Sequence, residues 1–135
     1  MLIAIPSEGI EPISLVAEKF GRTPFIIFYD VERDSFESLR NPYANIFGGA
    51  GIQIAQLIIE RNVEAVISFD IGISSLRILK SANIEVYSCK KIKVQEAVNE
   101  FKNGKLQKVE FVFTAKFGNR MMKRKRKNWN KNNFF

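Results

Sequence analysis

The residues best suited to chemistry in this chain are Gly48-Gly49-Ala50-Gly51-Ile52-Gln53. Three glycines in four positions run directly into an apolar segment, Ile52 to Glu60. Glycine takes positive φ freely and lets a ligand approach the main chain. The first amides of a helix have no intrahelical acceptor, and the helix dipole adds partial positive charge there. A glycine loop that opens a helix is therefore either a cradle for an anion or a tight junction that binds nothing. It is neither a Walker loop nor a dinucleotide fingerprint, because no Gly-Lys-Ser/Thr follows and the glycine spacing differs.

The other candidates are single residues at loop positions. Asp70-Ile71-Gly72 forms a second turn after an apolar run. Arg22 supplies a guanidinium, which suits an anion or, equally, the carbonyls of a turn. Cys89 is the sole cysteine. It reads as a small apolar packer or as a thiolate ligand, if Lys90 and Lys91 lower its pKa in an exposed setting. The chain has no histidine. That excludes a serine triad and histidine acid–base catalysis, and it nearly excludes a closed transition-metal site within one subunit. A nuclease would need two or three carboxylates around a metal. Asp70 is well placed, but the first strand carries no acid, and Asp30, Glu32 and Asp34 read as a solvated corner.

The net charge of +7 is unevenly spread. Residues 116–135 hold eight Lys/Arg and no acid, whereas residues 1–115 hold thirteen basic and fourteen acidic residues. The expected division is an α/β domain over 1–115 and a basic tail over 116–135. Lys123, Arg124, Lys125, Arg126 and Lys127 with Trp129 have the composition of a single-strand nucleic-acid arm. The same composition suits an anionic membrane surface or a solvated tail. No run of eighteen apolar residues occurs, so no membrane span is expected. One cysteine and an uncharged apolar start suggest a cytoplasmic protein rather than a secreted one.

These groups must be positioned by regular elements. Leu2 to Pro6 is nearly unbroken apolar sequence, as in a strand buried on both faces. Ile13, Val16, Ala17 and Phe20 fall at helical spacing between Pro12 and Gly21, which predicts a short amphipathic helix with those residues in the core. Phe25 to Tyr29 and Phe36 to Leu39 read as a hairpin ended by Asn41-Pro42. Gly51 to Arg61 reads as a largely buried helix, Glu64 to Phe69 as a strand, and Ser74 or Ser75 as the cap of a helix ending near Ala82. Ile84 to Tyr87 is a strand, and Val94 to Phe101 a helix stopped by Asn103-Gly104. Val109 to Thr114 alternates like an added edge strand. The fold class is α/β, a three-layer mixed sheet with helices on both faces. Ligands in such sheets sit beyond the carboxyl ends of the parallel strands. That edge is expected to gather Ser7 and Glu8, Gly48 to Gly51, Asp70 to Gly72, and Cys89.

Several motifs occur in an order characteristic of one group. They are Phe20-Gly21-Arg22-Thr23-Pro24-Phe25, Asn41-Pro42, Gly48 to Gln53, the Ile71-Gly72 turn, and Val94 to Gly104 ending in Phe101-Lys102-Asn103-Gly104. Over roughly residues 1–108 the chain resembles the dinitrogenase iron–molybdenum cofactor biosynthesis family, the NifX-like and NifB C-terminal domains. The resemblance implies a ribonuclease-H-like sheet. It also implies a non-catalytic carrier of iron–sulfur or iron–molybdenum cofactor precursors, with cofactor-assembly proteins as partners. Lys19 stands where members often carry histidine, and Ile73 where they often carry proline. What the chain retains for such cargo is a cradle of Gly48, Gly49 and Gly51 with Arg22, Asp70, Gly72 and the thiol of Cys89. The alternative function is nucleic-acid association through the tail.

Overall fold

The computed structural model describes residues 1–110. Three strands come first, β1 (Leu2–Ser7), β2 (Phe25–Asp30) and β3 (Ser35–Arg40). Then α1 (Ala50–Glu60), β4 (Ala65–Ser68), α2 (Ile73–Ser81), β5 (Glu85–Ser88), α3 (Val94–Lys102) and β6 (Gln107–Lys108) follow. The six strands form one mixed sheet of order β3-β2-β1-β4-β5-β6. β1, β4 and β5 run parallel, while β2, β3 and β6 pair antiparallel.

Strand side chains alternate between faces, so each strand feeds two cores. Ala4, Ile26, Phe28, Val66 and Val86 point to one face, where Ile54, Ala55 and Ile58 of α1 and Leu76 and Leu79 of α2 cover them. Ile3, Ile5, Ile27, Tyr29, Ala65 and Ile67 point to the other, beneath Val94, Ala97 and Val98 of α3. The result is three layers, with two helices on one face and one on the other.

The helix expected between Pro12 and Gly21 does not form. The segment is a turn at Pro12–Ile13 followed by irregular chain with isolated bridges at Leu15 and Val16, and its later amides bond outward: Val16 N–H donates to Ile92 O at 2.8 Å and Ala17 N–H to Pro6 O at 2.9 Å. Its apolar residues divide between the cores. Val16 joins the α3 face and Phe20 the α1–α2 face, while Ile13 is 63% exposed. One or two helical turns cannot repay their nucleation cost when tertiary partners claim the backbone. The edge strand lies earlier than the expected Val109–Thr114: Gln107 and Lys108 pair with Ser88 and Tyr87. Residues 111–114 and the expected basic tail lie outside the described residues. The acidic corner is more than solvated, because Asp34 accepts from the Tyr29 hydroxyl and, at 3.2 Å, from Lys102 of α3.

Asn41 fixes the loop that leads toward α1. It is 5% exposed. Its Nδ2 donates to Gly21 O at 3.0 Å and Thr23 O at 2.8 Å, and its Oδ1 accepts Tyr43 N–H at 2.7 Å. The loop entering β2 and the loop leaving β3 are thereby joined through one side chain.

Candidate functional site

Beyond the carboxyl end of β4 lies an open cleft of about 480 Å³. Three segments line it: Lys19 to Arg22, Gly49 to Ile52, and Asp70, Gly72, Ser74 and Ser75. Two helices begin there. Gly49 precedes α1 with φ +77°, a left-handed conformation that glycine adopts without a Cβ penalty. Gly72 takes the cap position of α2, so Ser74 and Ser75 fall inside the helix and neither caps it. Gln53 N–H reaches Gly49 O at 3.1 Å, and Leu76 N–H reaches Gly72 O at 3.0 Å. The amides before them, Ala50 to Ile52 and Ile73 to Ser75, have no protein acceptor among the described residues. Neither first turn carries an acid.

The third helix shows the contrast. At α3, Val94 N–H donates to Ser14 O and Gln95 N–H to Pro12 O, both at 2.8 Å. Glu96 accepts Lys93 N–H at 3.0 Å. The first two amides of α3 and its cap amide are thus satisfied by the protein, whereas the starts of α1 and α2 lie at the cleft with no acid in their first turns.

Glycines allow the two starts to come together. A Cβ on Gly21 would sit 2.6 Å from Gly51 N and 2.8 Å from Gly51 Cα, and a Cβ on Gly51 would collide with Ser75 Oγ. Gly48 faces open space and is absent from the cleft wall. The charges near the mouth are committed. Lys19 Nζ lies 3.4 Å from Asp70 Oδ2. Arg22 donates to the carbonyls of Ala44 (2.9 Å), Ile46 (2.5 Å) and Phe47 (3.4 Å). It braces the loop that leads into the glycines, rather than the turn after a preceding helix.

The expected meeting of four loops at this edge is reduced to the Asp70–Gly72 turn and part of the glycine loop, joined by the Lys19–Arg22 turn. Ser7 is fully buried and turns back to Gly9 O at 2.7 Å. Cys89 lines a different cavity, with Lys90, Glu100 and Lys105. Burial first, and the Glu100 carboxylate second, push its thiol up to about 11. The expectation that Lys90 and Lys91 lower it is therefore overturned, and Lys91 pairs instead with Glu18 at 3.9 Å. The thiol is protonated at neutral pH, and a thiol reacts through its thiolate. Alkylation by iodoacetamide at pH 8 should run far below the rate of a free small-molecule thiol and climb toward pH 11. A rate that levels off below pH 9 would contradict this placement.

Against known proteins, residues 1–104 match the model of the family described as dinitrogenase iron-molybdenum cofactor. The chain belongs to that family. A candidate NifB protein from Thermotoga, said to belong to the DUF35 family, is 32% identical with a TM-score of 0.72, covering 85% of this chain and 97% of that one. The apo form of the orange protein from Desulfovibrio gigas is 25% identical with a TM-score of 0.77, covering 80% and 92%. An uncharacterised protein of Methanocaldococcus jannaschii is 28% identical over 113 residues, covering 82% and 92%.

Within this iron–molybdenum cofactor family member, the cleft unites Arg22, Gly49, Gly51, Asp70 and Gly72 of the residues singled out in the sequence. It excludes Gly48 and Cys89. Ser75, which no motif marked as a binding group, lies on the wall; its place just inside a glycine-started helix was the available signal. No helix among the described residues is long and apolar enough to cross a membrane. The basic residues Lys123 to Lys127 and Trp129 of the nucleic-acid alternative lie outside the described residues.

Proposed function

We propose that this protein is a non-catalytic carrier that holds an anionic cargo, an iron–sulfur or iron–molybdenum cofactor precursor, in the cleft between the starts of α1 and α2. One observation carries the reading: two helix starts leave their amides uncapped on the same cleft, while the third is capped by the protein itself. Family membership supplies the class of cargo. The sheet order and the mix of parallel and antiparallel strands support the ribonuclease-H-like assignment as well. Carriage also implies cofactor-assembly proteins as partners that deliver the cargo and take it away.

The donor set decides how such cargo is held. No group of three or more His, Cys, Asp or Glu side chains among the described residues is arranged to hold a metal ion. The one thiol is protonated and stands in another cavity. Direct ligation by side chains does not fit. Amides at helix starts do fit a cluster that keeps its own ligands and carries net negative charge. The protein then contributes outer-sphere hydrogen bonds and dipole ends.

The test is anaerobic incubation with iron, sulfide and a small thiol, followed by desalting and measurement of bound iron and visible absorbance. Wild-type protein should retain a coloured anionic cluster, and Cys89→Ser should retain as much. Absence of bound cluster in wild type would defeat the proposal. Loss confined to Cys89→Ser would replace the amide cradle with a thiolate site.

A further inference from the structure

Five polar residues are buried among those described: Ser7, Thr23, Asn41, Ser68 and Ser75. Buried polar groups are nearly always paired, because an unpaired one loses hydration without recompense. Four of the five conform. Ser7 Oγ donates to Gly9 O at 2.7 Å and Thr23 Oγ1 to Phe25 O at 2.7 Å. Asn41 bonds Gly21 and Thr23, and Ser68 Oγ donates to Asp70 O at 3.3 Å. Ser75 is 5% exposed, lines the cleft, and has no hydrogen-bond partner among the described residues.

The cleft it lines is bordered by two helix starts, and its Oγ lies against Gly51. The free amides of Ala50 to Ile52 and Ile73 to Ser75 belong to the same two helix starts. The carboxylate on the wall, Asp70, is engaged by Lys19. No thiol or imidazole lines the cleft. Such a wall offers a bare metal ion a single carboxylate, already paired with Lys19, and offers oxygen acceptors several donors at once. Two helix ends, each worth about half a positive charge, match an anion. A tetrahedral ion presents four oxygens in different directions and can accept from both helix starts, which a planar carboxylate does less well.

We infer that the floor of the cleft is a subsite for a tetrahedral oxyanion, held by the Ser75 hydroxyl together with the first amides of α1 and α2. The inference rests on the cleft being a binding site and adds the chemical class of the group recognised at its base. The cleft, at about 480 Å³, exceeds a bare tetraoxo ion, so the group is either a free inorganic ion or the phosphate end of a larger ester.

The experiment titrates the full-length protein with inorganic phosphate, molybdate and adenosine 5′-monophosphate by calorimetry, in a chloride background. Saturable binding is expected, and Ser75→Ala should weaken it by about tenfold or more, the scale of one hydrogen bond to a charged group. The same variant should melt no lower than wild type, since an unpaired buried hydroxyl contributes nothing to the fold. Tighter binding of the nucleotide identifies an ester as the source, and equal or tighter binding of the inorganic ions identifies the free ion. Three results would overturn the subsite: no saturation with any probe, an unchanged affinity in Ser75→Ala, or a lowered melting temperature in that variant. If wild type still loads an iron–sulfur cluster while ignoring all three probes, the oxyanion subsite fails and the carrier reading stands. If it binds neither, both fail.

Discussion

Gly21→Ala is expected to cut cluster loading by about tenfold or more and to destabilise the domain by about 1–3 kcal/mol, the cost of overpacking a tight contact. The added methyl would meet backbone, at 2.6 Å from Gly51 N and 3.2 Å from Ala50 C, so no side chain can rotate away. The start of α1 must shift, and with it the amides that face the cleft. Positive φ is confined to Gly49 and Gly104 among the described glycines, so alanine adds no backbone strain at position 21 and the effect isolates close approach. Gly48→Ala is the paired control. Nothing lies within 4 Å of its Cβ position, and it should leave loading and stability unchanged. Loading by Gly21→Ala at wild-type level would mean that cargo does not depend on the α1 start.

The second large effect is on stability. Asn41→Ala should reduce the unfolding free energy by about 3–5 kcal/mol, measured by urea denaturation at constant slope. The reason is the number of groups left behind. Truncation orphans the carbonyls of Gly21 and Thr23 and the amide of Tyr43, in a position that is 5% exposed. Each buried unpaired group costs about 1–3 kcal/mol. Total stabilities of small domains are about 5–15 kcal/mol, so this single residue accounts for a large share. A loss below about 1 kcal/mol would show that water or relaxation replaces the staple.

Much of this architecture was legible because its signals are local. The apolar run of β1, the hairpin of β2 and β3, the glycine start of α1 and the stripe Val94, Ala97, Val98 and Phe101 of α3 depend on spacing alone. The 13–20 segment misled because helical spacing says nothing about where each residue is buried. Val16 and Phe20 sit at i and i+4, yet they enter cores on opposite faces of the sheet. The site divides the same way. Gly49 and Gly51 were readable as a helix start that could meet an anion. The partner of Arg22 was not, because the carbonyls it braces lie 22 to 25 residues away. Cys89 follows a strand whose carboxyl end points to the expected edge, but burial and Glu100 keep its thiol protonated in a separate cavity. Ser75 needed the structure most of all, since an unpaired hydroxyl is defined by what is missing around it.

The central claim is that the main-chain amides of two helix starts, with no side chain ligating the metal, hold the cargo. Amide-resolved nitrogen–proton spectra of the full-length protein before and after anaerobic cluster loading test it most directly. Shifts or broadening are predicted to centre on Ala50, Gly51, Ile52, Ile73, Ser74 and Ser75, with the capped amides of Val94 and Gln95 unaffected. Perturbation centred on Cys89 and its cavity, with the two helix starts unchanged, would contradict it.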